Sequence, residues 1–160
     1  MNRNVIPNTL IIVGGVQTAI PLSEFAKTLG YRVLLIEPRS AFADKSRFPQ
    51  VDQIYQAWPD EVIRNIKIDE STAFAILTHD PKIDDPALVA ALDSSAFYIG
   101  ALGSKKTQTK RRDRLLKSEV SQQKIDKLIG PIGLDIGAQT PEEIALSVMA
   151  EIVAESKKYR

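Results

Sequence analysis

Short apolar runs alternate along the chain with longer segments in which apolar residues recur at helical spacing. The first succession comprises a β-branched run at Thr9–Val13, an amphipathic stretch that ends at Gly30, and a second apolar run at Tyr31–Glu37. A strand, a helix and a strand within about thirty residues are typical of a right-handed βαβ unit. The beginning of the chain therefore predicts two parallel strands joined by a helix.

The alternation continues to the end of the chain. Further strands are predicted at Gln53–Ala57, Ala73–Thr78 and Ala96–Leu102. One helix is predicted to begin at Pro86 with Asp85 as its N-cap, and another at Pro141 with Thr140 as its N-cap and Glu143 completing a capping box. Strands alternating with helices favour a parallel sheet that is covered on both faces. The predicted fold is α/β, a Rossmann-like three-layer arrangement with a mostly parallel sheet.

Composition narrows the class of protein. With 160 residues, 44% of them apolar and 26% charged, the chain is typical of one globular domain, and we expect residues 1–160 to form it. The net charge of +1 favours neither nucleic acid nor an anionic membrane as a partner. The absence of cysteine excludes disulfides and thiolate chemistry in this chain, and His79, the one histidine, excludes a histidine-rich metal site. Without an apolar leader or a membrane-length segment, we expect a cytoplasmic protein without a metal.

A glycine-rich turn follows the first predicted strand. Ligands of open α/β sheets bind beyond the carboxyl ends of the strands, and this turn reads "GGVQTA" from Gly14 to Ala19. Gly14 and Ala19 occupy the first and third positions of a dinucleotide fingerprint, but Val16 occupies the second, where glycine lets the backbone approach a pyrophosphate. Gly15 offers partial compensation by shifting the turn. Two interpretations remain open: a phosphate-binding turn, and a tight turn that serves helix packing alone.

The next two loops carry polar candidates. Glu37 ends the second strand about twenty residues after the turn, where an acid hydrogen-bonds a ribose hydroxyl. Arg39 is placed to neutralise a 2′-phosphate, although a solvated charge pair beside the proline turn is the simpler explanation of either residue taken singly. His79 and Asp80 follow the strongest strand pattern, at a position suited to ligand contact. The Asp–Pro step there is also an ordinary turn.

The loop after the fifth predicted strand is a candidate anion site. Gly100 and Gly103 provide backbone freedom, Ser104 is placed to cap the next helix, and Lys105 and Lys106 lie in its first turn. Free backbone N–H groups and the helix dipole favour an anion at such an end, and an anion would offset the unfavourable position of the two lysines.

The helix that begins at this loop is strongly basic. Seven lysines and arginines lie within residues 105–117, without interleaved aromatic side chains. That pattern favours a solvated or protein-docking face over nucleic-acid binding. The exposed basic helix is also a candidate surface for self-association into a homo-oligomer.

Several long stretches point to a known family. They are "AWPDE" (Ala57–Glu61), "LTHDPKIDDPAL" (Leu77–Leu88), "FYIGALGSKKT" (Phe97–Thr107) and "GPIGLDIGAQTPEEIALSVMAEI" (Gly130–Ile152). In these stretches the chain resembles the C-terminal Rossmann domain of the XdhC/CoxI proteins, which are maturation factors for molybdenum hydroxylases such as xanthine dehydrogenase and carbon monoxide dehydrogenase. The resemblance extends from about Leu10 to Val153.

The resemblance implies an accessory, chaperone-like role rather than an enzyme. Proteins of this family bind the molybdopterin cofactor, protect its terminal sulfur ligand and pass it to the apo-hydroxylase, in concert with a cysteine desulfurase. The cofactor carries a phosphate and is often extended to a dinucleotide. We therefore expect molybdopterin cofactor or NAD(P) or another nucleotide as the ligand, and no catalytic residue. The candidate cofactor contacts are Gly14, Gly15, Gln17, Glu37, Arg39, His79, Asp80, Gly100, Gly103, Ser104 and Lys105.

The chain departs from the family pattern in two respects. Full-length members carry an N-terminal domain that includes cysteine, so a partner with that domain on a separate chain is expected here. Members also read like "GAGHVA" at the turn, whereas Val16 and Gln17 replace the glycine and the histidine here. Two alternatives therefore stay open: a small NAD(P)-dependent oxidoreductase, which would use Glu37, and a binding-only scaffold with a vestigial nucleotide site.

Overall fold

The computed structural model describes residues 7–158, which form one six-stranded sheet with helices on both faces. The strands are β1 (Thr9–Val13), β2 (Arg32–Ile36), β3 (Gln53–Tyr55), β4 (Thr72–Ile76), β5 (Tyr98–Ala101) and β6 (Leu128–Ile129). The helices are α1 (Ala19–Thr28), α2 (Pro59–Asn65), α3 (Pro81–Leu92), α4 (Lys105–Lys117), α5 (Gln122–Ile125) and α6 (Pro141–Lys157). Two short 3₁₀ turns, Ser40–Phe42 and Lys45–Arg47, lie between β2 and β3.

The sheet has the strand order β3-β2-β1-β4-β5-β6. Within the described residues every strand pairing is parallel, and Val13 of β1 lies opposite Ile36 of β2 and Ile76 of β4. This is the Rossmann order, in which the chain reverses its direction of travel across the sheet between β1 and β4. The predicted fold class is confirmed, and the carboxyl ends of β1 and β4 lie at the switch point.

The side chains of each strand alternate between two apolar layers. Ile11 and Val13 join the layer beneath α2, α3 and α4, whereas Leu10 and Ile12 join the layer beneath α1 and α6. The buried strands are apolar on both faces because helices cover the sheet on both sides. The predicted three-layer arrangement is therefore present.

Two helices begin where the sequence predicts. At α6, Thr140 Oγ1 accepts a hydrogen bond from the Glu143 amide at 3.1 Å, and the Glu143 side chain accepts one from the Thr140 amide at 3.1 Å. At α4, Ser104 Oγ accepts from the Thr107 amide at 3.2 Å. These reciprocal or single caps satisfy N–H groups that a helix leaves unpaired at its start.

The predicted start of α3 was wrong by five residues. The helix begins at Pro81, its N-cap is Asp80, and Pro86 lies inside it. Asp80 Oδ1 accepts from the Lys82 amide at 3.0 Å, so "DP" at residues 80–81 provides the same start signal as "DP" at residues 85–86. A helix that starts at the first pair buries Ile83 beside Ala87. This added burial outweighs the loss of the backbone hydrogen bond that Pro86 cannot donate, so the longer helix forms.

The shortest elements were not predicted. α2, α5 and β6 have 7, 4 and 2 residues, which is too few to show a hydrophobic period. The predicted strand at 53–57 ends at Tyr55, since the chain turns toward the N-terminus of α2. In the part of the chain that the structure describes, no helix combines the length and apolar character needed to cross a membrane.

Candidate functional site at the carboxyl edge of the sheet

Three turns meet at the carboxyl ends of β1, β4 and β5. The backbone continues the sheet beyond the strands: the Leu77 amide donates to Val13 O and the Leu102 amide donates to Ile76 O, each at 2.9 Å. A Cβ atom at Gly14 would overlap the side chain of Thr78, so the first and second turns are in contact. The parallel sheet therefore brings together segments that are widely separated in sequence.

The glycine turn leaves three backbone amides free. Gly14 has a φ of +111°, which suits glycine, and its amide donates to Ile36 O at 2.9 Å. Across residues 7–158, no protein group accepts a hydrogen bond from the amides of Val16, Gln17 or Thr18 at the start of α1. The Val16 side chain packs into the apolar layer beneath α1, and Gln17 is exposed. Val16 therefore does not block these amides with its side chain.

Glu37 is held beneath this turn rather than exposed beside it. Its side chain is 0% exposed and accepts four hydrogen bonds, from the Gly15 amide at 3.0 Å and from the Arg39 amide, Nε and Nη2 at 2.8–3.0 Å. Four donors occupy the acceptor positions of a carboxylate. Burial opposes ionisation, but the hydrogen bonds from Arg39 and Gly15 outweigh it and hold the pKa of Glu37 below its usual value.

The loop after β2 covers the second glycine. A Cβ atom at Gly15 would overlap the carbonyl oxygen of Phe42, and Arg47 Nη1 donates to Gly15 O at 2.7 Å. The Arg39 guanidinium lies 4.2 Å from the centre of the Phe42 ring. Glycine at position 15 is thus required by the close approach of this loop, and both polar backbone atoms of Gly15 have protein partners.

The turn after β4 presents the one histidine of the chain. His79 is exposed and has a φ of +68°, an uncommon backbone conformation for a residue with a side chain. Its amide donates to Asp84 Oδ2 at 2.9 Å, and Thr78 Oγ1 donates to Asp84 Oδ1 at 2.5 Å. Asp80 caps α3. Asp80 thus has a structural role, while His79 is exposed at the edge where the turns meet.

The turn after β5 combines a glycine with a capped basic helix. Gly103 has a φ of +136°, and a Cβ atom there would overlap the Thr107 side chain. Ser104 caps α4, and the amides of Ser104 and Lys105 have no acceptor in the described part of the chain. Lys105 is exposed beside them. The predicted anion-binding elements are therefore adjacent.

Gly100 is separated from the other candidates. It is a buried residue inside β5, and a Cβ atom there would overlap the side chains of Tyr98 and Ile132. This geometry requires glycine for close packing. A ligand contact by Gly100 stays a prediction.

A buried polar network behind the site was missed by the sequence analysis. Arg111 is 2% exposed; its Nη2 lies 3.5 Å from Asp84 Oδ2, and its Nη1 donates to Gln108 Oε1 at 2.9 Å and to Leu102 O at 3.2 Å. Gln108 Nε2 donates to Ala101 O and Gly103 O at 3.0 and 3.1 Å. One signal was available: residues 108, 111 and 115 share a helix face, and Leu115 marks that face as buried.

The interpretation of the basic helix as a solvated or protein-docking face is corrected for its three arginines, while its four lysines are exposed. Arg111 is buried, Arg112 Nη2 donates to Leu128 O at 3.1 Å, and Arg114 pairs with Asp85 at 2.7 Å. Three of the seven basic side chains therefore serve packing and loop attachment. Burial lowers the pKa of Arg111 and raises the pKa of Asp84, although each charge opposes the shift of the other.

The strand order, the two helical layers and the ligand edge at the switch point define a Rossmann-type α/β domain. Comparison with known families makes the assignment specific: the chain belongs to the XdhC Rossmann domain family, whose model matches residues 10–152. The resemblance found in the sequence is thereby confirmed.

Individual relatives agree with this assignment. The chain is 32% identical over 149 residues to a probable subunit of xanthine dehydrogenase from Bacillus subtilis, covering 93% of this chain and 43% of the relative. It is 36% identical over 88 residues to the molybdenum cofactor insertion chaperone PaoD of Escherichia coli, covering 55% of this chain and 28% of the relative. A crystal structure described as that of a xanthine dehydrogenase from Bacillus halodurans matches with a TM-score of 0.82 and 32% identity, over 96% of this chain and 44% of that one. The chain thus spans less than half the length of these relatives.

Proposed function

We propose that this chain binds the molybdopterin cofactor, or a nucleotide of similar chemistry, at the carboxyl edge of its sheet and assists the maturation of a molybdenum hydroxylase. The names of the relatives support this role, since one is a molybdenum cofactor insertion chaperone and another is a probable subunit of xanthine dehydrogenase. The maturation role is an accessory one, in which a cofactor is held and delivered rather than turned over.

One observation carries the proposal: two helix N-termini with free amides open onto the same edge. The amides of Val16, Gln17 and Thr18 lie in the turn that leads into α1, and those of Ser104 and Lys105 lie at the N-cap and first residue of α4. Helix N-termini of this kind bind phosphate through N–H groups and the positive end of the helix dipole. A phosphate on the cofactor fits these donors, and Lys105 adds a positive charge beside them.

The loop after β2 closes the part of the sheet edge where a dinucleotide-dependent oxidoreductase would hold a ribose. This closure favours the proposed function over that class of enzyme. Such an enzyme would use Glu37 to hold a ribose, but the carboxylate is buried and its acceptor positions are occupied by Gly15 and Arg39. A ribose hydroxyl would have to displace one of these donors. A ligand held between the turns after β1, β4 and β5 requires no such displacement.

The proposed partners are proteins that take part in the maturation of a molybdenum hydroxylase. Residues 1–160 contain no cysteine, so thiolate chemistry on the cofactor lies outside them. We infer docking to an apo-hydroxylase and cooperation with a cysteine desulfurase and with a cysteine-containing protein of the XdhC N-terminal type. Self-association through the basic helix is part of the same proposal.

Two lysines at opposite ends of α4 provide a matched test. Lys105→Glu and Lys117→Glu make the same change of charge at exposed positions of one helix. Glutamate is favourable in the first turn and unfavourable in the last, so Lys105→Glu should raise Tm slightly and Lys117→Glu should lower it. Binding should follow the opposite order: we expect Lys105→Glu to weaken binding of molybdopterin cofactor by about tenfold and Lys117→Glu to leave it unchanged.

The measurement is anaerobic calorimetric titration of each variant with cofactor released from a purified molybdenum hydroxylase, alongside a thermal melt without ligand. Equal affinities for the two variants would remove the turn after β5 from the site. A loss of affinity in both would point to a general effect of charge.

A further inference from the structure

His79 occupies a backbone conformation that glycine would adopt at lower cost. Its φ is +68°, in the left-handed region, where a Cβ atom is crowded by the backbone. The residue is exposed, so burial of the imidazole does not compensate. Uncommon backbone conformations concentrate at ligand sites because the surrounding structure holds a side chain where it is needed.

Asp84 holds this conformation from inside the protein. The carboxylate is 1% exposed; Oδ2 accepts from the His79 amide at 2.9 Å and Oδ1 accepts from Thr78 Oγ1 at 2.5 Å. Thr78 Oγ1 in turn accepts from the Asp80 amide at 3.0 Å. The residues on both sides of His79 are therefore attached, directly or through Thr78, to one buried side chain on α3.

Arg111 extends the attachment to the turn after β5. Its guanidinium faces Asp84 at 3.5 Å and donates to Leu102 O at 3.2 Å, and it binds Gln108, which donates to Gly103 O at 3.1 Å. Arg111 Nε is buried and has no hydrogen-bond partner among the described residues. The buried pair of Asp84 and Arg111 therefore has a long contact and an unpaired N–H group, which is a poor arrangement for stabilising the fold. This favours a role in positioning the turn that carries His79.

We propose that the His79 imidazole contacts the bound ligand, donating a hydrogen bond to a phosphate oxygen, and that Asp84, backed by Arg111, is its positioning residue. The contact between Thr78 and Gly14 places His79 directly after the residue that touches the glycine turn, whose amides are the proposed phosphate donors. This inference rests on the proposed function and assigns residues Asp84 and Arg111 a part in it.

The single histidine makes the proposal directly measurable. The imidazole signals of His79 can be followed by NMR without overlap from another histidine, during titration with molybdopterin cofactor and separately with inorganic phosphate. In the unmodified protein we expect these signals to shift with the same saturation curve as binding. Binding of the cofactor without a shift of the imidazole signals would overturn the proposal.

Five variants separate an effect on ligand positioning from an effect on stability. His79→Gly should raise Tm, since glycine adopts the observed φ freely, and should weaken cofactor binding by about tenfold. Asp84→Asn should weaken binding similarly, and the double variant should bind no more weakly than either single one. Asp85→Asn is the matched control: Asp85 is the adjacent aspartate and pairs with Arg114 on the outside of α3, so its replacement should leave binding unchanged. Thr78→Val removes one anchor of Asp84 and should produce a smaller loss, which keeps the test valid if Asp84→Asn folds poorly.

Two results contradict the inference while sparing the proposed function. Wild-type affinity in His79→Gly would show that the imidazole is not a contact. Additive losses in the double variant would show that Asp84 does not act through His79. If the unmodified protein binds neither probe, the proposed function fails, and this inference fails with it.

Discussion

Glu37 shows how one side chain can close part of a nucleotide-type crevice. The carboxylate links the end of β2 to the glycine turn through the Gly15 amide, and it fixes Arg39 through three further hydrogen bonds. Arg39 then stacks on Phe42, whose carbonyl oxygen lies against Gly15. A single ionised group therefore fixes the start of the loop after β2 and links it to the glycine turn.

This arrangement predicts a specific pH dependence of stability. The pKa of Glu37 is lowered in the folded state, so its contribution to the free energy of unfolding is present above the unfolded value of about 4.3 and is lost as the pH falls through the folded value. Glu37→Gln removes this contribution and leaves donors of Arg39 unpaired, which should cost about 1–3 kcal/mol at pH 7. The difference between the two proteins should shrink as the pH is lowered from about 5 to 3.

Urea unfolding at a series of pH values checks this prediction. Glu24→Gln, at an exposed position on α1, is the control, and its stability should run parallel to that of the unmodified protein at every pH. A constant difference between Glu37→Gln and the unmodified protein across the acid range would contradict the assigned role.

The sequence predicted the neighbourhood of Glu37 but not its partners. An acid about twenty residues after a glycine turn is placed correctly by the βαβ pattern alone. Whether it faces a ligand or the protein depends on Arg39, two residues further on, which turns back across Pro38 to bind it. A contact of this kind depends on the local path of the loop, which no periodic pattern records.

At the scale of elements, Asp84 and Arg111 join α3 to α4 behind the turns after β4 and β5. Both side chains are buried, so removing one leaves the charge of the other without compensation. Arg111→Met should therefore lower the free energy of unfolding by about 3–5 kcal/mol, and adding Asp84→Asn should recover part of that loss.

Arg114→Met provides the comparison on the same helix. Arg114 pairs with Asp85 at a partly exposed position, where such a pair contributes about 0–1 kcal/mol. Denaturant unfolding of Arg111→Met, Asp84→Asn and their double variant measures the coupling between the two buried side chains. If Arg111→Met and Arg114→Met lowered the free energy of unfolding by similar amounts, the buried pair would contribute no more to stability than the surface pair.

The elements themselves differ in how far they could be predicted. The capping box at Thr140 and Glu143 specified the start of α6 because only a helix N-terminus uses those two residues in that way. The start of α3 was ambiguous because two Asp–Pro pairs lie five residues apart, and the burial of Ile83 decides between them only in the folded protein. β6 is a two-residue strand that exists because β5 offers it a parallel edge.

At the scale of the whole molecule, the sheet order determines where a ligand can bind. Six parallel strands place the turns after β1, β4 and β5 along one edge, and the loop after β2 closes the adjacent part of that edge. Alternating apolar runs were sufficient to predict this architecture, and the long shared stretches were sufficient to predict the family. The buried charge network was not predictable in the same way, since it depends on side chains from α3 and α4 meeting across the layer.

The chain spans less than half the length of the relatives described above. In our account these residues supply the phosphate-binding edge that holds the cofactor. The central claim is therefore that the edge binds the cofactor by itself.

A thermal-shift titration of the purified chain tests that claim most directly, with molybdopterin cofactor, NAD, NADP, ATP and CTP as separate ligands. A ligand that binds only the folded state raises Tm in proportion to the logarithm of its concentration above Kd. We expect a dose-dependent rise with molybdopterin cofactor, and a weaker response to NAD because Glu37 is already engaged. A well-folded sample whose Tm is unchanged by the cofactor at all concentrations would contradict the account.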